Sequence, residues 1–238
     1  EDDHTLYTYR DKRDYKIMIN IKNGDTYQVR DLWGFDVTFF KGDDATKYLG
    51  TEFEGTSYLM GKDCSVDVRN GYSVYASDMA GAVVKDFIVT GDSFVHIKFY
   101  GLSMNDERLF LPLGNPKGNL SYMDGGTNTT AVNPGRLGLP VINYVHFPAG
   151  MSQTLHTHPS QRIGLILSGK GEIELDNGVM FPIKAGDCWV MDRNVLHNFM
   201  CNKGEDVTLF VFSPDSGTGP TDEINPLKVR TYVGQTRV

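Results

Sequence analysis

The chain is predicted to be all-β, a sandwich or barrel built from two halves that repeat one another. Three observations carry this. Short alternating apolar and polar stretches are punctuated by turn signals about every 8–12 residues, the pattern of a sandwich or barrel. No stretch keeps a helical period for longer than about two turns. And four segments of the first half recur, in order, in the second half.

The elements follow in chain order. VTFFKG at 37–42 sits 108 positions before VHFPAG at 145–150. At the same offset MGK at 60–62 meets SGK at 168–170, and Gly55 falls within one position of Gly164. VDVRNG at 66–71 lies 107 positions before IELDNG at 173–178. Each is an alternating strand running into an Asn-Gly turn, the strongest short hairpin signal. GDSFVHIKF at 91–99 lies 113 positions before GEDVTLFVF at 204–212. Four ordered matches at a near-constant offset indicate duplication. The predicted division is a first half at 1–114, a linker or loop at 115–136 and a second half at 137–238. The linker is rich in Gly, Pro, Asn and Thr. Its length suits a cover over a pocket better than a tether. The tail at 213–222 reads as an extended loop, and KVRTYV at 228–233 as a closing strand.

Bulk properties narrow the function classes. The 238 residues suffice for one large all-β domain or two fused small ones, and the 40% hydrophobic and 22% charged content is ordinary for a globular chain. A net charge of -7 argues against nucleic acid or an anionic membrane surface as partner. No apolar run approaches the ~18 residues of a membrane span. No basic-then-apolar leader is legible, so the cytoplasm is the expected compartment. Cys64, Cys188 and Cys201 are too few and too scattered for a disulfide scaffold and read as reduced, small apolar residues.

The chemistry concentrates in GMSQTLHTHPSQRIGLILSG at 150–169. His156 and His158 stand at i and i+2, which on a strand places both on one face. His197 follows a second glycine-bounded strand that begins at Gly186-Asp187. Three imidazoles brought together from partner strands can form a facial metal site with open positions.

The spacing from Gly150 through His156, His158 and Arg162 to Gly169 resembles the first motif of the cupin superfamily. The stretch from Gly186-Asp187 to His197 resembles its second motif. The resemblance covers roughly residues 30–100 and 135–215, and it implies a duplicated jelly-roll. His156, His158 and His197 match the family's three histidine ligands. The family's glutamate ligand is replaced by Arg162, and Asp192, Asn194 and Cys201 depart from the second motif. A guanidinium offers only donors and cannot ligate. Gln161 is a candidate fourth ligand through its amide oxygen, but one position off register. Mapped back by 108 positions, His156 falls on Tyr48, His158 on Gly50 and Arg162 on Glu54. The segment at 77–84 supplies no third histidine. The first half is therefore expected to carry no metal and to shape the second half's pocket, with His96 structural.

Three neutral imidazoles leave a divalent ion its full charge and favour an anionic substrate. Arg162 would hold a carboxylate or enolate by a bidentate hydrogen bond if it faces inward; the alternatives are an outward turn or pairing with an acid such as Asp192. Tyr144 and His146 share one face of their strand and are candidate acid/base groups; core packing for Tyr144 and surface exposure for His146 remain open. Imidazole suits Zn, Cu, Fe and Ni alike. The resemblance points to Fe(II), with Ni, Zn, Mn or Cu as alternatives, because three-histidine cupins include oxygenases of thiols, diketones and aromatic hydroxy acids. The expected activity is a non-haem metal-dependent oxygenase acting on a small anionic molecule. A metal-dependent lyase or isomerase and a non-catalytic binding or sensing module are the alternatives, and a homodimer is open as the assembly.

Overall fold

A computed structural model gives the fold. It describes residues 17–19, 24–29, 34–41, 47–49, 56–68, 73–84, 87–100, 108–110, 117–215, 217, 232–233 and 236–237. Among these there is no α-helix, only a three-residue 3-10 turn at Met123–Gly125. The strands of the first half are β1 (Ile17–Ile19), β2 (Thr26–Val29), β3 (Phe35–Lys41), β4 (Lys47–Leu49), β5 (Thr56–Val68), β6 (Ser73–Val84), β7 (Phe87–Phe99) and β8 (Arg108–Phe110). Those that follow are β9 (Leu120–Ser121), β10 (Thr127–Val132), β11 (Val141–Phe147), β12 (Arg162–Ser168), β13 (Lys170–Leu175), β14 (Met180–Lys184), β15 (Cys188–Met191), β16 (His197–Cys201) and β17 (Val207–Ser213). Two short strands, β18 (Tyr232–Val233) and β19 (Thr236–Arg237), pair with each other.

The duplication is visible in the strand order. One sheet runs β2-β3-β7-β5-β6-β8 and another runs β10-β11-β17-β12-β15-β1, with β9 beyond β10. The two orders match strand for strand. All pairs are antiparallel, so one face of each sheet can pack while the other faces elsewhere. The chain is an all-β protein of two antiparallel units with the same strand order.

The halves differ in how they bend. In the second half the path along β5 is split into β12 and β13, and that along β7 into β16 and β17. The break after β12 falls at Gly169, which has φ +80° and where a Cβ would lie 2.0 Å from the Asp206 carbonyl oxygen. Only glycine permits both that conformation and that approach. In the first half the strand runs through the corresponding place and is kinked at Asp63, with φ 49°.

The predicted boundaries need two corrections. The stretch expected to be a linker holds β9 and β10, and β10 pairs with β11 along its length. Thr127, Thr129 and Thr130 are β-branched and fit a pleated surface, which offsets the Gly and Asn content that suggested a loop. The N-terminal strand β1 pairs with β15, so the second half's sheet is completed by residues from the start of the chain. Sheet membership therefore does not divide at residue 115.

Alternation along the strands builds two cores. Ile142 and Tyr144 of β11, Ile163 and Leu165 of β12, and Phe210 and Phe212 of β17 face the first half and pack against Phe35, Val37, Tyr58 and Ile97. Phe212 meets Phe35 edge-on at 5.9 Å and Tyr58 at 5.1 Å between ring centroids. Each such aromatic contributes on the order of 1.5–3 kcal/mol by burial. The opposite parity, including Val145, Phe147, Ile166 and Leu209, faces the interior of the second half, where the site lies.

A three-histidine candidate metal centre

The histidine pair does not sit on a continuous strand. Residues 153–161 form an irregular stretch tied to β16 by isolated bridges, Ser152 to Met200 and His156 to His197. In the second bridge the His156 amide donates to the His197 carbonyl at 2.9 Å and the His197 amide donates back at 3.0 Å. Such directly opposed residues project their side chains to the same side. Pro159 and the polar run around it hold the segment out of the ladder, since proline lacks the donor a strand needs. Asn194 then donates its amide to the His158 carbonyl at 2.7 Å. It has φ 59°, a left-handed conformation that Asn tolerates, so the departure from glycine at this turn is absorbed without loss of shape.

These ties bring the three rings together. Ring centroids are 4.9 Å apart for His156 and His158, 4.4 Å for His156 and His197, and 5.2 Å for His158 and His197. One ring nitrogen from each lies within 4.8 Å of the others, which suits a single divalent ion. The His156 Nδ1–H donates to the Thr154 carbonyl and the His197 Nδ1–H to the Val195 carbonyl, both at 2.9 Å. A donor fixed at Nδ1 leaves Nε2 as the free lone pair, the tautomer a metal requires. Burial lowers the His158 pKa to about 2, helped by the Arg162 guanidinium and the two other histidines. Burial likewise lowers His197 to about 4. Both are neutral near pH 7, as ligands must be.

The triad opens into a cavity of about 330 Å³. That lies at the lower end of small-molecule sites and suits a compact ligand. Its walls are mainly apolar, with Val145, Phe147, Trp189, Phe199, Leu209 and Val211, and its polar groups include Asn128, Asn143, Gln153, Arg162 and Asp215. Trp189 is packed against the bare face of Gly164 on the neighbouring strand.

The candidate residues divide clearly. Arg162 lines the cavity and is not turned to solvent. Its partner acid is Asp215 at 3.8 Å, not Asp192. Burial lowers the Arg162 pKa, opposed by Asp215 and Tyr122. Gln161 points elsewhere: its Nε2 donates to Asp192 at 3.1 Å, and it is absent from the cavity wall. Tyr144 and His146 lie on the wrong parity for the expected acid/base roles. Tyr144 is in the core between the halves, and the His146 ring is paired through Nε2 with Asp206 at 2.8 Å. The residues of β11 that reach the cavity are Asn143, Val145 and Phe147. Gln153 also lines the cavity, with its Oε1 accepting from the Phe199 amide at 3.3 Å.

Among the cavity residues without a sequence signal, two carry ionisable groups that face Arg162. Tyr122 comes from the supposed linker and stacks on Phe147 at 6.4 Å; burial raises its phenol pKa against the pull of Arg162. Asp215 comes from the loop after β17. Neither has a spacing that relates it to the histidine motifs.

In the first half the register positions are filled differently. Tyr48 of β4 pairs with Ile88 of β7 where His156 pairs with His197. Isoleucine carries no donor atom. Gly50 and Glu54 lie outside the described residues. His96 is buried, with its Nε2 3.0 Å from Ser57 Oγ.

Residues 143–213 match the family model of the cupin domain. The match lies wholly within the second half, over the strands that carry the three histidines. Solved structures extend the likeness over most of the chain. A putative glyoxylate-induced protein from Pseudomonas aeruginosa superposes with a TM-score of 0.59 at 10% identity, covering 89% of this chain and 84% of that one. The protein Ylba from E. coli gives 0.55 at 14% identity, over 90% and 96% of the two chains. A mutant form of salicylate 1,2-dioxygenase from Pseudoaminobacter salicylatoxidans gives 0.50 at 10% identity, over 76% and 71%. At these identities each likeness shows the fold alone. No curated protein matches the chain.

Proposed function

We propose that the protein is a metal-dependent oxygenase of a small anionic molecule. The observation that carries this is the pairing of three converging imidazoles, two with Nδ1 already committed, with a partly buried guanidinium in one small cavity. The donor set fits a divalent ion: three nitrogen ligands, no anionic ligand and open positions toward the cavity. His156, His158 and His197 would hold it. When bound, Fe(II), the ion favoured by the resemblance, supplies the activation of dioxygen; Ni, Zn, Mn and Cu are the alternatives.

The chain's own residues supply the rest. Arg162 binds and orients a carboxylate or enolate, with charge-assisted hydrogen bonds about twice as strong as neutral ones. The apolar wall of Val145, Trp189, Phe199 and Leu209 excludes water, which strengthens every charge interaction inside. Asn143 and Gln153 offer amides for the neutral part of the ligand.

Elemental analysis of protein purified without a metal-affinity tag tests the site, and oxygen uptake on a panel of small carboxylates tests the reaction. Iron near one equivalent with uptake is expected. Absence of any bound transition metal overturns the proposal.

A lyase or isomerase reading is favoured by one observation, the Tyr122 phenol in the same cavity, which could carry a proton. Turnover without oxygen consumption would select it.

A further inference from the structure

The charge that Arg162 offers to the cavity is not a lone cation. Its Nη1 takes every protein contact: it donates to the Ser160 carbonyl at 3.1 Å, to Ser160 Oγ at 2.5 Å and to the Gln161 carbonyl at 2.9 Å. Asp215 Oδ1 stands 3.8 Å from the same nitrogen. Ser160, fully buried, links the two, because its hydroxyl also donates to Asp215 Oδ1. Among the described residues nothing bonds the Arg162 Nε or Nη2, or the Asp215 Oδ2. Both side chains line the cavity. Four internal hydrogen bonds therefore hold a donor edge and an acceptor oxygen side by side, with opposite charges and with capacity left over.

A simple carboxylate would satisfy the guanidinium edge but come close to the Asp215 carboxylate, a like-charge contact in a partly buried place. A ligand that carries an ammonium next to its carboxylate satisfies both groups. We propose that this corner of the cavity recognises an amino carboxylate, with the carboxylate on Arg162 and the ammonium on Asp215. The proposal rests on the reading of the cavity as a substrate site. It narrows the substrate from small anions in general to zwitterions of the amino-acid class, and it makes Asp215 a specificity-determining residue.

The test uses a matched pair of probes, L-alanine and propanoate, which share a carbon skeleton and differ by the ammonium. Binding is measured by calorimetry or ligand-detected NMR on the full chain after chelator treatment, so that no metal takes the amino nitrogen. In the native protein alanine should bind about tenfold more tightly than propanoate, the low end of what a charged hydrogen bond supplies. In Asp215→Asn the ratio should fall to about one or reverse, and in Arg162→Ala both probes should weaken by roughly tenfold or more. Equal or better binding of propanoate by the native protein overturns the proposal, as does a ratio unchanged in Asp215→Asn or no binding of either probe. The native ratio alone decides if a variant does not fold. Because the assay is metal-free, its failure leaves the metal reading standing, and a missing metal in elemental analysis leaves this result standing.

Discussion

Acidification should weaken the metal-free fold through His96 in β7, by an amount that one substitution isolates. The side chain is 3% exposed, and its Nε2 lies 3.0 Å from Ser57 Oγ. Burial, and secondarily Lys98, lowers its pKa from 6.5 to about 3. An unfolded chain takes up the proton below about pH 6.5, while the folded chain does not until near pH 3. The unfolded state thus binds more protons throughout that window, so stability falls as pH falls and is fully present above it. The slope approaches about 1.4 kcal/mol per pH unit once the unfolded histidine is charged, which makes the loss about 2 kcal/mol over the two units below pH 6.5. Urea unfolding of the chelator-treated protein near pH 6.5 and about two units lower, beside His96→Gln, measures it. Glutamine keeps a hydrogen-bonding group opposite Ser57 and does not titrate. His158 and His197, also lowered, add the same slope to both proteins and cancel in the comparison. The variant should lose about 2 kcal/mol less than the native chain on acidification. An identical loss in both would mean that His96 reaches solvent or a carboxylate in the folded state, and the buried-neutral account would be wrong.

Two further outcomes follow from the site. His158→Ala should abolish stoichiometric metal in elemental analysis while the circular dichroism spectrum stays that of the native fold, since the ring contributes to the triad and not to either core; retained metal would show that the three rings are not the ligands. Gly164→Ala should lower stability by about 1–3 kcal/mol, because the new methyl would fall 2.1 Å from Trp189 Cε2 in a packed interior. Scanning calorimetry should show this as a Tm roughly 2–12 °C lower, and an unchanged Tm would mean that Trp189 moves freely.

What was legible in the sequence was whatever leaves a local signature. The Asn-Gly dipeptides and the near-constant offset pointed to the duplication, and the histidine spacing to the triad. Parity could not be assigned in the same way. On β11 both faces are buried, so Asn143, Val145 and Phe147 look as internal in sequence as Tyr144 and His146, and the expected acid/base pair fell on the face that does not line the cavity. The parity argument about Gln161 presupposed a strand, but residues 153–161 are not one, and what turns Gln161 from the cavity is its bond to Asp192. Tyr122 and Asp215 were invisible because they reach the cavity through chain reversals, and nothing in a loop's composition says where it returns. Residues 115–136 look loop-like since Gly and Asn dominate, yet their threonines are enough for a strand when a partner edge is waiting.

The roles of the two halves follow from that double-sided burial. A sheet with apolar residues on both faces must cover both. In the second half one face closes on the first half through Tyr144, Leu165, Phe210 and Phe212. That core is continuous and close-packed, so the strands carrying the site are fixed from behind. The other face can then be left partly hollow: a cavity of about 330 Å³ forgoes packing contacts that a lone small sandwich could not spare. β1 and β10 extend the same sheet on either side, and β10 adds Asn128 and Thr130 to the cavity wall. The duplicated half without the histidine motif is thereby tied to the chemistry. It supplies no donor at the register position of His197, but it holds rigid the sheet from which Arg162 projects, beside the bridged His156 and His197.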